Sequence, residues 1–438
     1  MIRGGIGRIG YKLDRSGDGS DDDDDDDDDG EGGRRRRNEG GRRRRREDDD
    51  GGGGGAGYGN GYGKGGKGDW IQQAVGLLDM AAIITGAVGR EGVVVELMEG
   101  LQRWVEERER EREGEEEEEE ERGPPPRKKL KRKCWNDDGN NDNNNEGGDT
   151  FTFTFPTPAM EIRHPIPTVE NMSLREFESH MEKCARPLII RGALEHWPAF
   201  HEHRAWKNPG YILKQTFGGR RLVPVEMGRS YTDAGWGQKI VTVREFMERY
   251  MFRSWSLSSE EEGDEDKDED EGIAYLAQYD LLAQIPSLRN DISIPDYCYT
   301  TPPPPAPGTP LASKPPQPRL DEPILNTWFG PAGTVSPLHT DPYHNILCQV
   351  VGKKYVRLYA PEESGKVYPR GREAGGVDMS NTSEVDVERW DEDRWPLFGG
   401  ARFVEGVVGE GECLYLPVGW WHYVRALTAS WSVSFWWN

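Results

Sequence analysis

Two histidines and one aspartate have the residue types and spacing of a metal site. His339 and Asp341 are two residues apart, and side chains two apart on an extended strand point to the same face. His422 follows 81 residues after Asp341, within the aromatic, strand-like run at residues 415–424. Two imidazoles and one carboxylate form the facial triad that binds Fe(II) and leaves the opposite coordination positions open. These residues predict an iron site, although a lone His-x-Asp triplet is more often a pair of polar residues on a surface strand.

The sequence around these residues resembles the JmjC branch of the Fe(II)- and 2-oxoglutarate-dependent oxygenases. The resemblance begins near residues 186–192, covers about 250 residues and is interrupted by two insertions. It is carried by the phrases at residues 326–330, 337–342, 352–359, 421–427 and 432–437. Within the branch, the chain is most similar to the group called jumonji domain-containing protein five or lysine-specific demethylase eight.

The resemblance also implies which residues bind the cosubstrates. In this family 2-oxoglutarate and O2 take the open positions on the iron, and Lys354 matches the lysine that binds the far carboxylate of 2-oxoglutarate. Asn345, Ser336 and Tyr275 match further contacts of 2-oxoglutarate. Two of these assignments have plain alternatives, because Lys354 could be a solvated strand lysine and Tyr275 could be a core residue.

The substrate side of the site is assigned by the same resemblance. Glu226 matches an acidic residue that binds a guanidinium in the arginyl-hydroxylase group, and Tyr231, Trp236 and Trp328 match aromatic walls of that pocket. A carboxylate can bind arginine through two parallel hydrogen bonds, and aromatic rings can stack on the planar guanidinium. The tryptophans could instead be packing residues.

A third histidine near the motif is not expected to bind the metal. His344 lies three residues after Asp341, so alternation along a strand would point it to the opposite face. Together with Tyr343 it departs from the family phrase. This departure affects the expected shape of the entrance to the site and does not affect the predicted binding of the metal.

The negative charge of the chain is concentrated outside the expected core. The 438 residues carry a net charge of −23, only 34% are apolar, and 56 are glycine. Residues 151–438 contribute −11, of which residues 260–271 supply −9. The remaining body is nearly neutral, so direct binding of nucleic acid is not expected.

Cysteine usage and hydropathy indicate a soluble, intracellular protein. The five cysteines are odd in number and lack Cys-x-x-Cys spacing, which argues against a disulfide framework or a zinc site. An N-terminal apolar segment and a bilayer-length apolar run are both absent from the sequence, so no membrane contact is expected. A basic cluster at residues 127–133 is typical of a nuclear localisation signal. We expect a nuclear protein, with a cytoplasmic location as the alternative.

Composition sets apart the N-terminal third of the chain. Residues 1–68 contain runs of aspartate, arginine and glycine and are expected to be disordered. Residues 69–111 predict a helical hairpin, with a first helix from Trp70 to about Ile84. The hairpin could bind a partner or, as we favour, pack on the body. Residues 112–155 are predicted to be a charged linker.

Residues 156–438 are expected to form the catalytic domain, with insertions at residues 258–272 and 301–318. The predicted fold is mainly β, a double-stranded β-helix of the jelly-roll or cupin type with flanking helices. Strands are predicted at residues 346–351, 354–359, 403–408, 412–416, 423–426 and 430–436. The pair Gly352-Lys353 predicts a two-residue hairpin between the first two strands.

Three functions are compatible with these features. The first is hydroxylation of a protein substrate, most simply at an arginine side chain. The second is histone lysine demethylation, in which hydroxylation of an N-methyl group releases formaldehyde. The third is a non-catalytic, chromatin-associated scaffold. The intact triad and Lys354 favour the two enzymes, and Glu226 favours arginine, so the expected partner is an arginine-bearing protein or peptide, such as a histone or another chromatin protein.

Overall fold

The computed structural model describes residues 69–86, 89–122, 161–233, 235–251, 272–305, 309, 311–313, 315–373 and 376–438. The predictions for residues 1–68, for the basic cluster at 127–133 and for nearly all of the insertion at 258–272 lie outside these ranges. Within the described ranges, no helix is both long enough and apolar enough to cross a membrane.

Seven helices are named here in chain order, and all but the first two are short. They are α1 Asp69–Thr85, α2 Glu91–Arg122, α3 Leu174–Lys183, α4 Pro209–Gln215, α5 Val243–Phe246, α6 Leu281–Gln284 and α7 Pro286–Arg289. The capping box of α3 forms as the sequence indicates, because the Ser173 hydroxyl accepts from the Glu176 amide and the Glu176 carboxylate accepts from the Ser173 amide. The second helix of the N-terminal hairpin continues to Arg122, well into the segment predicted to be a charged linker.

The hairpin packs on the body of the protein, as we favoured from the sequence. Val75 of α1 and Met98 and Val105 of α2 form a small core with Phe217. Asp79 of α1 forms a buried ion pair with Arg221, with 2.8 Å between the carboxylate and the guanidinium. The hairpin is therefore part of the folded unit.

Thirteen strands form two sheets in the described ranges. They are β1 Thr168–Glu170, β2 Leu188–Arg191, β3 Leu222–Met227, β4 Gly237–Thr242, β5 Ala274–Tyr279, β6 Ile324–Gly330, β7 Val335–Thr340, β8 His344–Val351, β9 Lys354–Tyr359, β10 Phe403–Val408, β11 Cys413–Leu416, β12 Trp421–Ala426 and β13 Ser430–Trp437. The larger sheet has the order β1-β2-β11-β8-β13-β6-β5-β3-β4 and the smaller has the order β10-β9-β12-β7.

The two sheets face each other across an apolar layer. Leu347 and Leu414 of the larger sheet pack with Val356, Leu358 and Val424 of the smaller sheet. Every residue of the central strands β8 and β13 is buried, because the larger sheet is covered by the smaller sheet on one face and by helices on the other. This double-sheet arrangement is the predicted jelly roll with flanking helices.

The predicted hairpin at Gly352-Lys353 is wrong. Strand β8 pairs with β11 and β13 in the larger sheet, whereas β9 pairs with β10 and β12 in the smaller one. The two residues carry the chain from one sheet to the other, and Gly352 adopts a φ of +72° at this crossing. A hairpin pattern and a crossing between sheets have the same sequence signature, so pairing partners decide between them.

Candidate metal centre and its cleft

Neighbouring strands bring the three predicted metal ligands together. β7 and β12 are antiparallel, and His339 and His422 are direct partners in their register. Asp341 lies one residue beyond the end of β7, so the chain has just left the sheet when it reaches the carboxylate. The ligand atoms of the three residues all lie within 4.8 Å of one another. Among the described residues this is the one group of three or more His, Cys, Asp or Glu side chains with such a geometry.

Backbone carbonyls fix which nitrogen of each imidazole faces the site. Nδ1 of His339 lies 2.6 Å from the carbonyl oxygen of Pro337, and Nδ1 of His422 lies 3.1 Å from that of Trp420. A carbonyl oxygen can only accept, so each Nδ1 carries the hydrogen and each Nε2 keeps its lone pair. The Nε2 atoms point to the Asp341 carboxylate, at 3.7 Å from His339 and 3.4 Å from His422. This donor set fits a divalent iron.

The protonation of the metal-free triad is strongly shaped by burial. Burial lowers the pKa of His339 to about 4, and the nearby His422 acts in the same direction. Burial alone would also lower the pKa of His422, but the Asp341 carboxylate raises it above its ordinary value. Burial would raise the pKa of Asp341, and the two histidines hold it below its ordinary value instead. In the metal-free group the Asp341 carboxylate therefore stabilises a proton on His422, and a bound metal cation would replace that proton.

Asn345, the second residue of β8, supports the aspartate. Its Nδ2 donates to Asp341 Oδ2 over 3.4 Å. Its Oδ1 is buried and has no hydrogen-bond partner among the described residues. Buried amide oxygens are rarely left without a partner, so this atom is a candidate contact for a bound group.

Lys354 is buried beside Tyr275, contrary to the alternative of a solvated lysine. Lys354 is the first residue of β9 and is 2% exposed, and its Nζ donates to the Tyr275 hydroxyl over 3.3 Å. Burial lowers the pKa of Lys354 to about 7. Burial raises the pKa of Tyr275, which also forms a hydrogen bond with Ser336. Three of the four residues matched to 2-oxoglutarate contacts thus adjoin one another, and Lys354 has no carboxylate partner among the described residues.

His344 does not contribute to the metal group, as predicted, although for a different reason. It opens β8 in the larger sheet and does not continue the strand of His339. Its Nδ1 lies 3.0 Å from the Tyr415 hydroxyl, and the two rings are stacked at 8°. Burial lowers the pKa of His344 to about 4, so it is a neutral, packed histidine.

A cleft of about 1760 Å³ opens above the triad. Its walls include all four residues that the sequence assigns to substrate binding: Glu226, Tyr231, Trp236 and Trp328. Trp328 is held by a 3.0 Å hydrogen bond from Nε1 to the Ser434 hydroxyl, and its ring lies 6.1 Å from that of Tyr275. Nε1 of Trp236 is buried and has no acceptor among the described residues.

Two segments of the cleft wall were not found from the sequence. The first, residues 378–382, follows no strand pattern, yet Thr382 bridges to His339 and the Asn381 carbonyl accepts from the Thr340 amide at 2.8 Å. The second is the described part of the proline-rich insertion, including residues 302–305 and Leu311. Long-range contacts place both segments, and local periodicity carries no signal for such contacts.

Comparison with known proteins agrees with this architecture. Residues 173–438 match the family model described as a cupin-like domain. The chain belongs to this family. It is 41% identical over 281 residues to lysine-specific demethylase 8 of Xenopus tropicalis, covering 64% of this chain and 54% of the relative. It is 38% identical over 273 residues to Jumonji C domain-containing protein 5 of Drosophila melanogaster, covering 62% and 60%.

A more distant member has a different name. The human bifunctional peptidase and (3S)-lysyl hydroxylase JMJD7 is 26% identical over 271 residues, covering 58% of this chain and 77% of that protein. The predicted membership of the JmjC branch is confirmed by these relatives. The chain spans between half and three-fifths of the length of the first two relatives that it matches.

Proposed function

We propose that the chain is an Fe(II)- and 2-oxoglutarate-dependent hydroxylase of arginine side chains in a protein substrate. The observation that carries the proposal is a cleft lined by His339 and Asp341 of the metal group and by Glu226 with aromatic side chains, beside the buried Lys354 that contacts Tyr275 of the same lining. Bound Fe(II), 2-oxoglutarate and O2 would supply the oxidation, in which one oxygen atom enters a substrate C–H bond and the other enters succinate as CO2 is released.

The residues of the chain would orient the cosubstrate. Lys354 would bind the far carboxylate of 2-oxoglutarate, since its buried ammonium contacts Tyr275, which lines the cleft together with His339 and Asp341. The hydroxyls of Tyr275 and Ser336 adjoin Lys354 and can donate to the same carboxylate. Burial of these groups excludes water, which strengthens the electrostatic contacts within the site.

The substrate arginine would enter from the side of β3. Glu226 is the direct antiparallel partner of Tyr275, so the carboxylate and the cosubstrate tyrosine come from adjacent backbone positions. Trp328 and Tyr231 line the same cleft and offer ring faces on which a guanidinium can stack. The cleft volume of about 1760 Å³ is ample for several residues of an extended peptide.

Histone lysine demethylation is the second candidate, and it is favoured by the names of the relatives. Two of them carry the name lysine-specific demethylase 8, and a third is named as a lysyl hydroxylase. Methyl-ammonium groups can also be bound by aromatic rings together with a carboxylate. A scaffold without activity is not favoured, because it has no need for a buried lysine beside the triad.

A substitution at Glu226 separates the two enzymatic functions. Glu226→Gln should abolish hydroxylation of an arginine peptide, because the guanidinium loses its charged partner, while 2-oxoglutarate turnover without substrate persists. Replacing the target arginine of the peptide by lysine should also abolish hydroxylation, since an ammonium cannot form the planar bidentate contact. Mass spectrometry of peptide pools would detect the gain of one oxygen atom or the loss of one methylene group.

Glu362→Gln is the matched control, because Glu362 is an exposed carboxylate on another part of the same cleft wall. It should leave hydroxylation near the wild-type rate. Formaldehyde release from a methyl-lysine peptide that is unaffected by Glu226→Gln would make demethylation the function instead.

We also propose that the protein acts in the nucleus on a chromatin-associated substrate. The support is the basic sequence at residues 127–133 and the demethylase names of the relatives. Replacement of these basic residues by glutamine in a fluorescent fusion should shift the protein to the cytoplasm. Unchanged nuclear accumulation would contradict the assignment of this signal.

A further inference from the structure

Asp79 of α1 carries a completely buried carboxylate outside the cleft. It accepts hydrogen bonds from Nε and Nη2 of Arg221, the latter at 2.8 Å, and from the backbone amide of Leu222 at 2.7 Å. It also accepts from Nε2 of Gln284 at 2.8 Å. The Asp79 side chain has no exposed surface and that of Arg221 is 8% exposed. Bonds between buried ionised groups of this kind are strong and geometrically specific.

This carboxylate joins three parts of the chain. Arg221 and Leu222 stand at the start of β3, and Gln284 ends α6, which follows β5 closely. Nη2 of Arg221 donates to the Gln284 carbonyl at 2.9 Å, and Nε2 of Gln284 donates to the Leu222 carbonyl at 2.8 Å. Asp79 and Gln284 thus satisfy both backbone groups of Leu222.

The contacts replace a missing part of the β-ladder. β3 pairs with β5 at only two positions, Glu226 with Tyr275 and Met227 with Ala274. The start of β3 has no β5 partner in this register. The second half of β5 is irregular, because Gln278 has a φ of +49° and the register with β6 shifts between Leu276 and Tyr279. Side chains from α1 and α6 occupy the hydrogen-bonding positions that a regular strand would have used.

The other ends of the same two strands lie in the cleft. Because β3 and β5 are antiparallel, the start of β3 lies next to the end of β5 at one edge of the sheet along the strand direction. Glu226 and Tyr275 lie together at the opposite ends of the two strands. Leu222 and Glu226 are four residues apart, about 13 Å along a strand. Asp79 therefore anchors the strands that carry the proposed substrate carboxylate and the proposed cosubstrate tyrosine.

We propose that Asp79 is a positioning residue for this side of the cleft, acting through β3 and β5 on Glu226 and Tyr275. The inference rests on the roles given to these two residues above. The metal ligands are supported by β7 and β12 in the other sheet, so Asp79 should affect the binding of 2-oxoglutarate and substrate without affecting the binding of metal.

The test uses the full chain with Asp79→Asn, which keeps the shape of the side chain and removes its charge. We expect KM for the arginine peptide and Kd for 2-oxoglutarate, measured by calorimetry without O2, to rise roughly ten- to a hundredfold. Affinity for Fe(II) should stay at the wild-type value. Gln72→Ala is the control, because Gln72 also joins α1 to the body, through a 3.2 Å bond to the Arg220 carbonyl, but does not contact β3 or α6 in this network.

A second variant separates positioning from stability. The double substitution Asp79→Leu and Arg221→Leu removes both buried charges, and such replacements often preserve stability. It leaves the Leu222 amide without its carboxylate partner and Gln284 without its contact to Asp79, so Kd for 2-oxoglutarate should remain raised while the melting temperature returns toward that of the wild type. Recovery of the wild-type Kd along with stability would overturn the proposal, as would a wild-type Kd in folded Asp79→Asn. If no arginine peptide is hydroxylated by the wild type, the proposed function fails, and the 2-oxoglutarate affinities still decide the role of Asp79.

Discussion

Backbone carbonyl groups orient the two histidines of the triad for metal binding. The carbonyls of Pro337 and Trp420 each lie two residues before a histidine and accept from its Nδ1. Each Nε2 is thereby presented as a lone pair beside Asp341. Substitution of a triad residue removes a ligand atom from the metal site, whereas substitution of the nearby His344 does not.

His339→Ala or Asp341→Ala should abolish Fe(II) binding and 2-oxoglutarate turnover while the fold is retained, because both side chains lie at the cleft and not in the apolar layer between the sheets. Calorimetric titration with Fe(II) in the absence of O2 measures the binding, and circular dichroism checks the fold. His344→Gln is the control and should bind Fe(II) normally. Succinate production at the wild-type rate in either alanine variant would exclude the triad.

Lys354 should make the binding of 2-oxoglutarate depend on pH. Burial lowers its pKa to about 7, so at higher pH the free amine is mostly neutral, and a bound carboxylate favours the charged form. Binding should therefore weaken as the pH rises above about 7, with uptake of a proton at about pH 8. Calorimetry in two buffers of different ionisation enthalpy measures this uptake.

Lys354→Met should weaken 2-oxoglutarate binding by roughly 2–5 kcal/mol and remove its pH dependence, since the cosubstrate loses its cation. Lys353→Met, at the exposed neighbouring position, should change neither quantity. An unchanged affinity in Lys354→Met would show that another residue binds the far carboxylate.

At the scale of elements, the crossing at Gly352 determines where Lys354 enters the smaller sheet. A Cβ atom at Gly352 would lie 2.0 Å from the Ala429 carbonyl oxygen, and the residue has a φ of +72°. The crossing is further held by the bond from the Lys353 amide to the Thr428 hydroxyl at 2.9 Å. The start of β9 therefore depends on a glycine.

Gly352→Ala should lower the free energy of unfolding by roughly 2–4 kcal/mol, from the left-handed backbone and the close contact together. It should also weaken 2-oxoglutarate binding, because Lys354 follows two residues later. Urea denaturation and calorimetry measure the two effects. Gly409→Ala, where the nearest atom to a new Cβ lies at 3.6 Å, should change stability by less; equal effects in the two variants would contradict a special role for the crossing.

At the scale of the whole molecule, the N-terminal hairpin belongs to the catalytic unit. Much of the sequence before residue 155 is charged or rich in glycine, which by itself predicts that an active chain can begin near that residue. The packing of α1, where Asp79 neutralises Arg221 and Val75 packs on Phe217, predicts instead that the hairpin is needed. Removal of α1 would leave a buried guanidinium without its carboxylate.

Removal of residues 1–68 should leave stability and 2-oxoglutarate turnover unchanged, whereas removal of residues 1–155 should lower the melting temperature and the yield of soluble protein. Differential scanning calorimetry of both shortened chains against the full chain measures the difference. If the shorter chain were as stable and as active as the full chain, α1 would be dispensable for folding.

The sequence by itself determined the type of fold and predicted which residues form the metal group. The His339, Asp341 and His422 group could be recognised because residue types and the phrases around them carry metal chemistry directly. The strands could be recognised because alternation of apolar residues is a local property. The capping box of α3 is local for the same reason.

Only the tertiary structure decided how these parts are connected. Whether Gly352-Lys353 is a hairpin or a crossing depends on which strands pair, and these partners are up to about a hundred residues away in the chain. The burial of Lys354 and the contact of residues 378–382 with β7 also depend on contacts between distant parts of the chain. So does the ion pair between Asp79 and Arg221, which are separated by 142 positions and whose attraction has no local pattern in the sequence. Such contacts form because each buried polar group must find a partner wherever the fold brings one close.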